Sequence, residues 1–187
     1  LEGGLKKNSL KLNSIVNPVF ELVVGNGSPI IENNKATIKE INKDYVKSKQ
    51  IYDTQNLTIS FKLPEVKNDP DQTLYIGGYT FYSELKGNNT IISYASDGYK
   101  DIYKGEYKPG DIYTQEYKDN TVYYYINGEK KAETQLDNVK IESLYIGFAD
   151  PLNPIDETFI FDSINCIGTI SNNINTPIIP QPPDENN

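Results

Sequence analysis

The stretch Leu57-Thr58-Ile59-Ser60-Phe61-Lys62-Leu63 has an apolar residue at every odd position and a polar residue at every even one. Successive side chains of a β-strand point to opposite faces, so this alternation predicts a strand with one buried face and one face in water. Similar runs cover most of the chain and predict about ten strands. They span residues 19–24, 36–41, 57–63, 73–82, 90–95, 111–118, 121–126, 131–136, 143–149 and 157–168.

The connection between two of these runs carries a strong turn signal. Asn127-Gly128 follows Val122-Tyr123-Tyr124-Tyr125-Ile126 and precedes Glu129. Asn and Gly tolerate positive φ, which a two-residue turn between antiparallel strands requires at both central positions. The segment is therefore predicted to form a β-hairpin. Together with the strand that ends before Asp119-Asn120, it forms a three-stranded meander.

Many short strands separated by turn residues predict an all-β fold, namely a two-sheet antiparallel jelly-roll sandwich. The segment 35–46 stays undecided between helix and strand, because its apolar spacing is helical but its β-branched residues disfavour a helix. We expect residues 1–14 to be a cloning remnant and lead-in, and 15–170 to be the sandwich domain. Residues 171–187 are rich in Pro and Asn and predict an extended linker to a neighbouring domain.

The order of strands and turns from about residue 105 to 168 resembles part of a known superfamily. It contains Tyr125-Ile126-Asn127-Gly128, then Leu144-Tyr145-Ile146-Gly147-Phe148, and finally Phe159-Ile160-Phe161-Asp162-Ser163-Ile164. This order is similar to the latter half of concanavalin A-like lectin and glucanase jelly rolls, in their laminin-G-like or SPRY-like branches. The resemblance implies a concanavalin A-like fold, and a fold by itself does not fix a function.

The motifs that give this superfamily its known activities are missing. Its glucanase branch would carry Glu-x-Asp-x-Glu on one strand, which brings alternate carboxylates into one cleft, and no Glu-x-Asp occurs in the chain. The metal site of legume lectins needs a His, and galectin-like sites need His, Arg and Trp. The resemblance therefore implies the scaffold without its known sites.

Composition excludes several classes of function. His, Arg, Trp and Met are absent from all 187 residues, while Tyr occurs 15 times. Without His the commonest routes to acid–base, covalent and zinc catalysis are closed. A formal charge of -8 and the absence of Arg make nucleic acid a poor partner. The sequence contains no run of 18 apolar residues, so it predicts no membrane span. The lone Cys166 is expected to be a buried, unreactive thiol.

Tyrosine is the abundant aromatic residue that could stack on a sugar ring and also donate a hydroxyl. The densest stretch of Tyr and Asp is interpreted as a polar loop within residues 94–107. Its candidate ligand-binding residues are Tyr94, Asp97, Tyr99, Asp101 and Tyr103. The alternative is that these rings pack on the edge of the sandwich. Strand tyrosines such as Tyr82, Tyr113, Tyr123 and Tyr125 could line the concave sheet or belong to the core.

Two further patterns are less specific. Asp150, Asn153 and Asp156 lie in a loop that also holds two prolines, and such oxygen ligands suit Ca²⁺, so they are a candidate calcium site. Ordinary acidic turn residues are the alternative.

The sequence Leu74-Tyr75-Ile76-Gly77 recurs as Leu144-Tyr145-Ile146-Gly147, which two similar strands of one sandwich explain.

These observations favour a noncatalytic module on the outside of a cell, phage or virus particle. Its expected role is adhesion, and its expected partner is a glycan or glycoprotein on a host surface or matrix. One alternative is a structural or assembly domain of a surface or virion fibre protein without glycan binding. Another is a glycoside hydrolase of the same fold that uses an unmatched pair of Asp or Glu residues.

Overall fold

The computed structural model describes residues 20–70, 74–77, 81–95, 100–135, 141–148 and 150–171. Fifteen strands lie within these residues, together with one turn of 3-10 helix at Glu40–Asn42. The strands are β1 (Leu22–Asn26), β2 (Ile30–Glu32), β3 (Lys35–Lys39), β4 (Tyr45–Ser48), β5 (Tyr52–Lys62), β6 (Leu74–Gly77), β7 (Phe81–Lys86), β8 (Thr90–Ala95), β9 (Lys100–Glu106), β10 (Ile112–Lys118), β11 (Thr121–Ile126), β12 (Glu129–Gln135), β13 (Ile141–Glu142), β14 (Tyr145–Phe148) and β15 (Thr158–Ile170). The predicted lead-in, and the predicted linker apart from Ser171, lie outside the described residues.

The strands form two antiparallel sheets. One sheet has seven strands in the order β1-β4-β14-β6-β7-β8-β9. The other has the order β12-β11-β10-β5-β15-β3-β2, with β13 paired to β5 as its eighth strand. Strands that are distant in sequence, such as β5 and β15 or β4 and β14, lie side by side. This is the predicted all-β, two-sheet antiparallel jelly-roll sandwich.

Alternation along each strand decides which side chains fill the space between the sheets. In β5, Leu57, Ile59 and Phe61 are at most 1% exposed, whereas the side chains between them reach the surface. The ring of Phe61 lies 5.2 Å from that of Tyr113 on β10 and 5.7 Å from that of Phe161 on β15. Burial of such apolar area contributes about 25 cal/mol per Å² and is the main stabilisation of the sandwich.

A chain of hydrogen bonds also joins the two sheets through the core. Ser83 Oγ lies 2.7 Å from Ser93 Oγ in the seven-stranded sheet and 2.5 Å from the Tyr113 hydroxyl of the other sheet. Gln115 Nε2 donates to the Tyr113 hydroxyl at 3.2 Å, and Gln115 Oε1 accepts from the Tyr117 hydroxyl at 3.2 Å. Because a buried polar group is unfavourable without a partner, this network helps to fix how β7, β8 and β10 face each other.

The predicted hairpin is confirmed. β11 and β12 are joined by Asn127-Gly128, whose φ angles are 52° and 79°. Asn127 Oδ1 accepts from the Ile112 N–H at 2.8 Å, and Asn127 Nδ2 donates to Asp111 Oδ1 at 2.9 Å. Asp111 Oδ2 in turn accepts from the Lys108 N–H at 2.8 Å. The turn is therefore tied to the residues that begin β10.

The described residues contain fifteen strands, whereas the sequence predicts about ten. β2 and β13 are not predicted, and β5 begins at Tyr52 rather than at residue 57. The undecided segment 35–46 is strand β3, the 3-10 turn and the start of β4. The run 73–82, predicted as one strand, contains β6 and the start of β7, which pair with each other. The stretch 94–107, interpreted as a loop, contains β9. β9 is an edge strand, and charged residues are typical of edge strands because they discourage pairing with another chain.

Two expectations about composition can be compared with the structure. Cys166 is buried, as predicted, and burial raises the pKa of its thiol, so the reactive thiolate is disfavoured. No helix among the described residues is long and apolar enough to cross a membrane.

Candidate functional site

The outer face of the seven-stranded sheet carries an unusual concentration of tyrosines. Leu74 and Ile76 of β6 point into the main core, so Tyr75 between them points outward. By the same alternation, Tyr82 and Glu84 on β7 and Tyr94 on β8 point outward. Tyr75, Tyr82 and Tyr94 form a hydrophobic cluster separate from the main core. We call this outer surface of β14, β6, β7, β8 and β9 the tyrosine face.

Strand pairing arranges the side chains of the tyrosine face in two rows across the sheet. One row consists of Tyr145, Gly77, Tyr82, Tyr94 and Asp101, each paired with the next across neighbouring strands. The other row consists of Gly147, Tyr75, Glu84, Ile92 and Lys104. Aromatic rings, carboxylates and an ammonium group thus share one surface.

The three clustered rings differ in their access to solvent. The Tyr75 and Tyr82 rings have centroids 4.8 Å apart, and Tyr82 is stacked on Tyr94 at 5.5 Å with an interplanar angle of 28°. Tyr75 and Tyr82 are each only 1% exposed, whereas Tyr94 is half-buried. Tyr94 is therefore the ring of this cluster that a ligand could contact, and the other two hold it in position.

Two carboxylates surround the Tyr94 hydroxyl. Glu84 is buried, and its side chain accepts a hydrogen bond from Tyr94 and lies 3.6 Å from Lys86 Nζ. Asp101 is exposed and paired directly opposite Tyr94 across β8 and β9. Burial, followed by the charges of Glu84 and Asp101, raises the pKa of Tyr94 above its ordinary value of 10.0. The hydroxyl therefore stays protonated near neutral pH and acts as a hydrogen-bond donor.

The structure brings some of the predicted ligand-binding residues together and separates others. Tyr94 and Asp101 are neighbours on the tyrosine face. Tyr103 pairs with Ser93 and packs against the main core, so it lies on the opposite face of the sheet. Asp97 and Tyr99 lie outside the described residues.

Analysis of the sequence missed Tyr75, Glu84 and Tyr145 as members of this surface. A usable signal was present in the repeat of Leu-Tyr-Ile-Gly at residues 74–77 and 144–147. The two copies are β6 and β14, which pair antiparallel so that Tyr145 faces Gly77 and Gly147 faces Tyr75. Because Tyr145 pairs with Gly77, two residues from Tyr75, this register places the two tyrosines on one face, close together.

The predicted calcium ligands lie in an exposed loop. Asp150, Asn153 and Asp156 are all exposed, and Asp150 Oδ1 lies 2.9 Å from Lys43 Nζ. An ammonium group at this distance competes with a cation for the carboxylate. No group of three or more Asp, Glu, Cys or His side chains in the described part of the chain is placed to hold a metal ion. Calcium binding by Asp150, Asn153 and Asp156 stays a prediction.

Comparison with known proteins supports the fold. No protein-family model matches the sequence, and no curated protein matches it either. Among solved structures, the carbohydrate recognition domain of Emp47p superposes with a TM-score of 0.54 at 9% identity, over 82% of this chain and 90% of its own. The carbohydrate-binding module CBM66 from Bacillus subtilis superposes with a TM-score of 0.52 at 9% identity, over 79% and 96%. Alginate lyase AlgAT5, of polysaccharide lyase family 7, does so with a TM-score of 0.53 at 11% identity, over 77% and 82%.

At such identities the similarity establishes the fold and nothing finer. The jelly-roll sandwich predicted from the sequence is confirmed by these neighbours. The laminin-G-like or SPRY-like branch stays a prediction, because no family model distinguishes it.

Proposed function

We propose that this chain is a noncatalytic carbohydrate-binding module and that the tyrosine face binds the sugar. Tyr94 supplies an aromatic surface for the apolar face of a sugar ring, and Asp101 beside it accepts hydrogen bonds from sugar hydroxyls. The module acts outside the cell or on a particle surface, where it attaches its parent protein to a glycan of a host or matrix.

The observation that carries this proposal is the pairing of Tyr94 with Asp101 on top of a rigid aromatic support. Tyr94 is stacked on Tyr82, and its hydroxyl is held by Glu84, so its orientation is fixed before any ligand arrives. Binding surfaces that are ordered in advance lose less conformational entropy when they bind. A ring that is half-buried but accessible from one side also matches the way aromatic side chains contact sugars.

Enzymatic cleavage is the second candidate, because polysaccharide lyases share this fold. Tyr94 is poorly suited to act as a general base. A tyrosine that accepts a proton from the substrate near neutral pH needs a lowered pKa, whereas the surroundings of Tyr94 raise its pKa. His and Arg are also absent from the whole chain, which removes two common partners of an anionic substrate. Binding without cleavage is therefore the function that this surface supports best.

A glycan array tests the proposal. Wild-type protein is expected to bind a defined group of glycans saturably, and Tyr94→Ala is expected to weaken that binding about tenfold or more. Asp101→Asn is expected to weaken it less, while Asp119→Asn, a substitution in the exposed β10–β11 turn of the other sheet, should leave it unchanged.

Two outcomes would contradict the proposal. Silence of correctly folded protein across the array would favour a structural or assembly role. Release of reducing sugar or of unsaturated uronate from any polysaccharide on incubation with the protein would favour the enzyme.

A further inference from the structure

A pair of tyrosines lies on the opposite side of the molecule from the tyrosine face. β11 buries Val122, Tyr124 and Ile126, so Tyr123 and Tyr125 point away from the core on the outer face of the eight-stranded sheet. Both are half-buried, and their ring centroids are 6.5 Å apart with an interplanar angle of 38°. This separation is of the same order as the length of one sugar residue in a polysaccharide chain.

Polar side chains surround the two rings. Glu116 on β10 is paired with Tyr123 and accepts a hydrogen bond from the Tyr125 hydroxyl. Thr114 pairs with Tyr125, and Ser60 and Thr58 on β5 continue the two rows beyond β10. These hydroxyl and carboxylate groups project from the same face of the sheet as the rings, where they could bond to the hydroxyls of a stacked sugar.

The charged groups around the two rings leave one formal negative charge. Lys130 Nζ lies 5.8 Å from the centre of the Tyr123 ring and 3.3 Å from Glu133 Oε2, so the formal charges of Lys130 and Glu133 offset each other. Glu116 accepts a hydrogen bond from the neutral Tyr125 hydroxyl, which does not cancel its formal charge. A surface with this negative charge repels a uronate-rich chain and suits an uncharged one better.

The geometry also argues against two other occupants. Rings tilted by 38° cannot both lie flat on a planar crystalline surface, but they can follow a single twisted chain. Among the described residues, the exposed isoleucines of this face are Ile112 on β10, Ile160 and Ile167 on β15 and Ile30 on β2, and none of them lies on β11 or pairs with Tyr123 or Tyr125. They therefore do not extend the two rings into the continuous apolar patch that is typical of a stable protein interface.

We propose that Tyr123 and Tyr125, with Glu116, form a second glycan-binding surface for a single soluble chain of neutral polysaccharide. The module then has two binding surfaces on opposite faces of the sandwich and can link two polysaccharide chains. Such bivalence raises the apparent affinity for a polymer without any new contact at either surface.

The test uses four proteins: wild type, Tyr94→Ala, the double variant Tyr123→Ala with Tyr125→Ala, and the triple variant. Each is run by affinity electrophoresis in gels containing xyloglucan, laminarin or galactomannan, with alginate as the anionic probe. Tyr94→Ala is expected to remain retarded by at least one neutral polymer, and the triple variant is expected to lose about tenfold or more of that residual affinity. Retardation by alginate should not depend on Tyr123 or Tyr125.

The conservative variant Tyr123→Phe with Tyr125→Phe separates stacking from a structural effect. It keeps both rings and is expected to bind within about threefold of wild type, because the aromatic faces supply most of the contact. Thermal unfolding followed by circular dichroism confirms that each variant is folded.

Three results would overturn the proposal. The first is that the Tyr94→Ala and triple variants behave alike on every neutral polymer. The second is retardation that depends on these rings only in alginate. The third is a wild-type dimer in analytical ultracentrifugation that the double Ala variant abolishes, since the face would then contact a second copy of the chain. The Tyr94 proposal is judged separately, by the difference between wild type and Tyr94→Ala.

Discussion

Gly77 is a single residue that determines how closely the two sheets can approach each other. It ends β6 with a φ of 106°, a region that side-chain-bearing residues rarely adopt. A Cβ at this position would overlap the side-chain amide of Gln115, which reaches across from the other sheet. Gly77 therefore allows the central strand of the tyrosine face to approach the buried hydrogen-bond network.

Substitution of Gly77 by Ala is expected to destabilise the protein by more than about 2 kcal/mol, because backbone strain and overlap with Gln115 add together. Gly128→Ala is a matched control, since Gly128 also has positive φ, at 79°, but has open space around its Cβ position. It should lose only about 1 kcal/mol. Urea unfolding of both variants measures the difference, and equal losses would show that contact with Gln115 is unimportant.

Asp111 gives a prediction about pH. Hydrogen bonds from the Lys108 N–H and the Asn127 amide lower the pKa of its carboxyl below the ordinary value of 3.8. A carboxyl group whose pKa is lower in the folded protein than in the unfolded chain stabilises the folded protein. This stabilisation is complete at a pH above the carboxyl's pKa in the unfolded chain, and it is lost as the pH falls through its pKa in the folded protein. Asp111→Asn is expected to lose about 1 kcal/mol at pH 7 and progressively less below about pH 4. A loss of the same size at pH 7 and pH 3 would contradict this.

At the level of strands, the sequence identifies the interior of the fold better than its edges. β11 is predicted with its observed bounds, 121–126, because its β-branched and aromatic residues lie between two turn signals, Asp119-Asn120 and Asn127-Gly128. β9 was missed because an edge strand with several charged residues looks like a loop in the sequence. The alternation of apolar and polar residues in a strand reflects the burial of one of its faces. An edge strand buries fewer of its side chains, so its sequence alternates less clearly.

The candidate site was found only in part for a related reason. Asp101 and Tyr103 are two residues apart on β9, so simple alternation places them on the same face. The register shift between Ser93 and Tyr94 instead pairs Asp101 with Tyr94 and Tyr103 with Ser93, which turns them to opposite faces. A β-bulge depends on the pairing of two strands, and neither strand's sequence reveals it alone.

The hydrogen bonds that link β7 to β10 lead to a prediction about cooperation between the sheets. Tyr113→Phe removes the hydroxyl that contacts both Ser83 and Gln115, so it is expected to destabilise the protein by about 1–3 kcal/mol. Ser83→Ala should also destabilise it, and the double variant should lose less than the sum by about 1 kcal/mol. A double-mutant cycle from denaturant unfolding measures this coupling, and strict additivity would mean that the two sheets are not linked in this way.

For the whole molecule, the sandwich presents two tyrosine-bearing surfaces on opposite faces. The tyrosine face is built around a ring fixed by Tyr82 and Glu84, whereas the rings of Tyr123 and Tyr125 are more open. The fold is shared by recognition domains, binding modules and lyases, so the function must be argued from these surfaces rather than from the fold.

The most direct test of sugar binding at Tyr94 is a titration followed by NMR of backbone amides. It uses the Tyr123→Ala and Tyr125→Ala protein, so that the second surface cannot contribute, and the glycan bound most tightly on the array. Saturable shift changes are expected at residues 74–77, 81–86, 90–95 and 100–106, and Tyr94→Ala should abolish them. Saturable changes confined to other strands, or none at any concentration, would contradict binding at the tyrosine face.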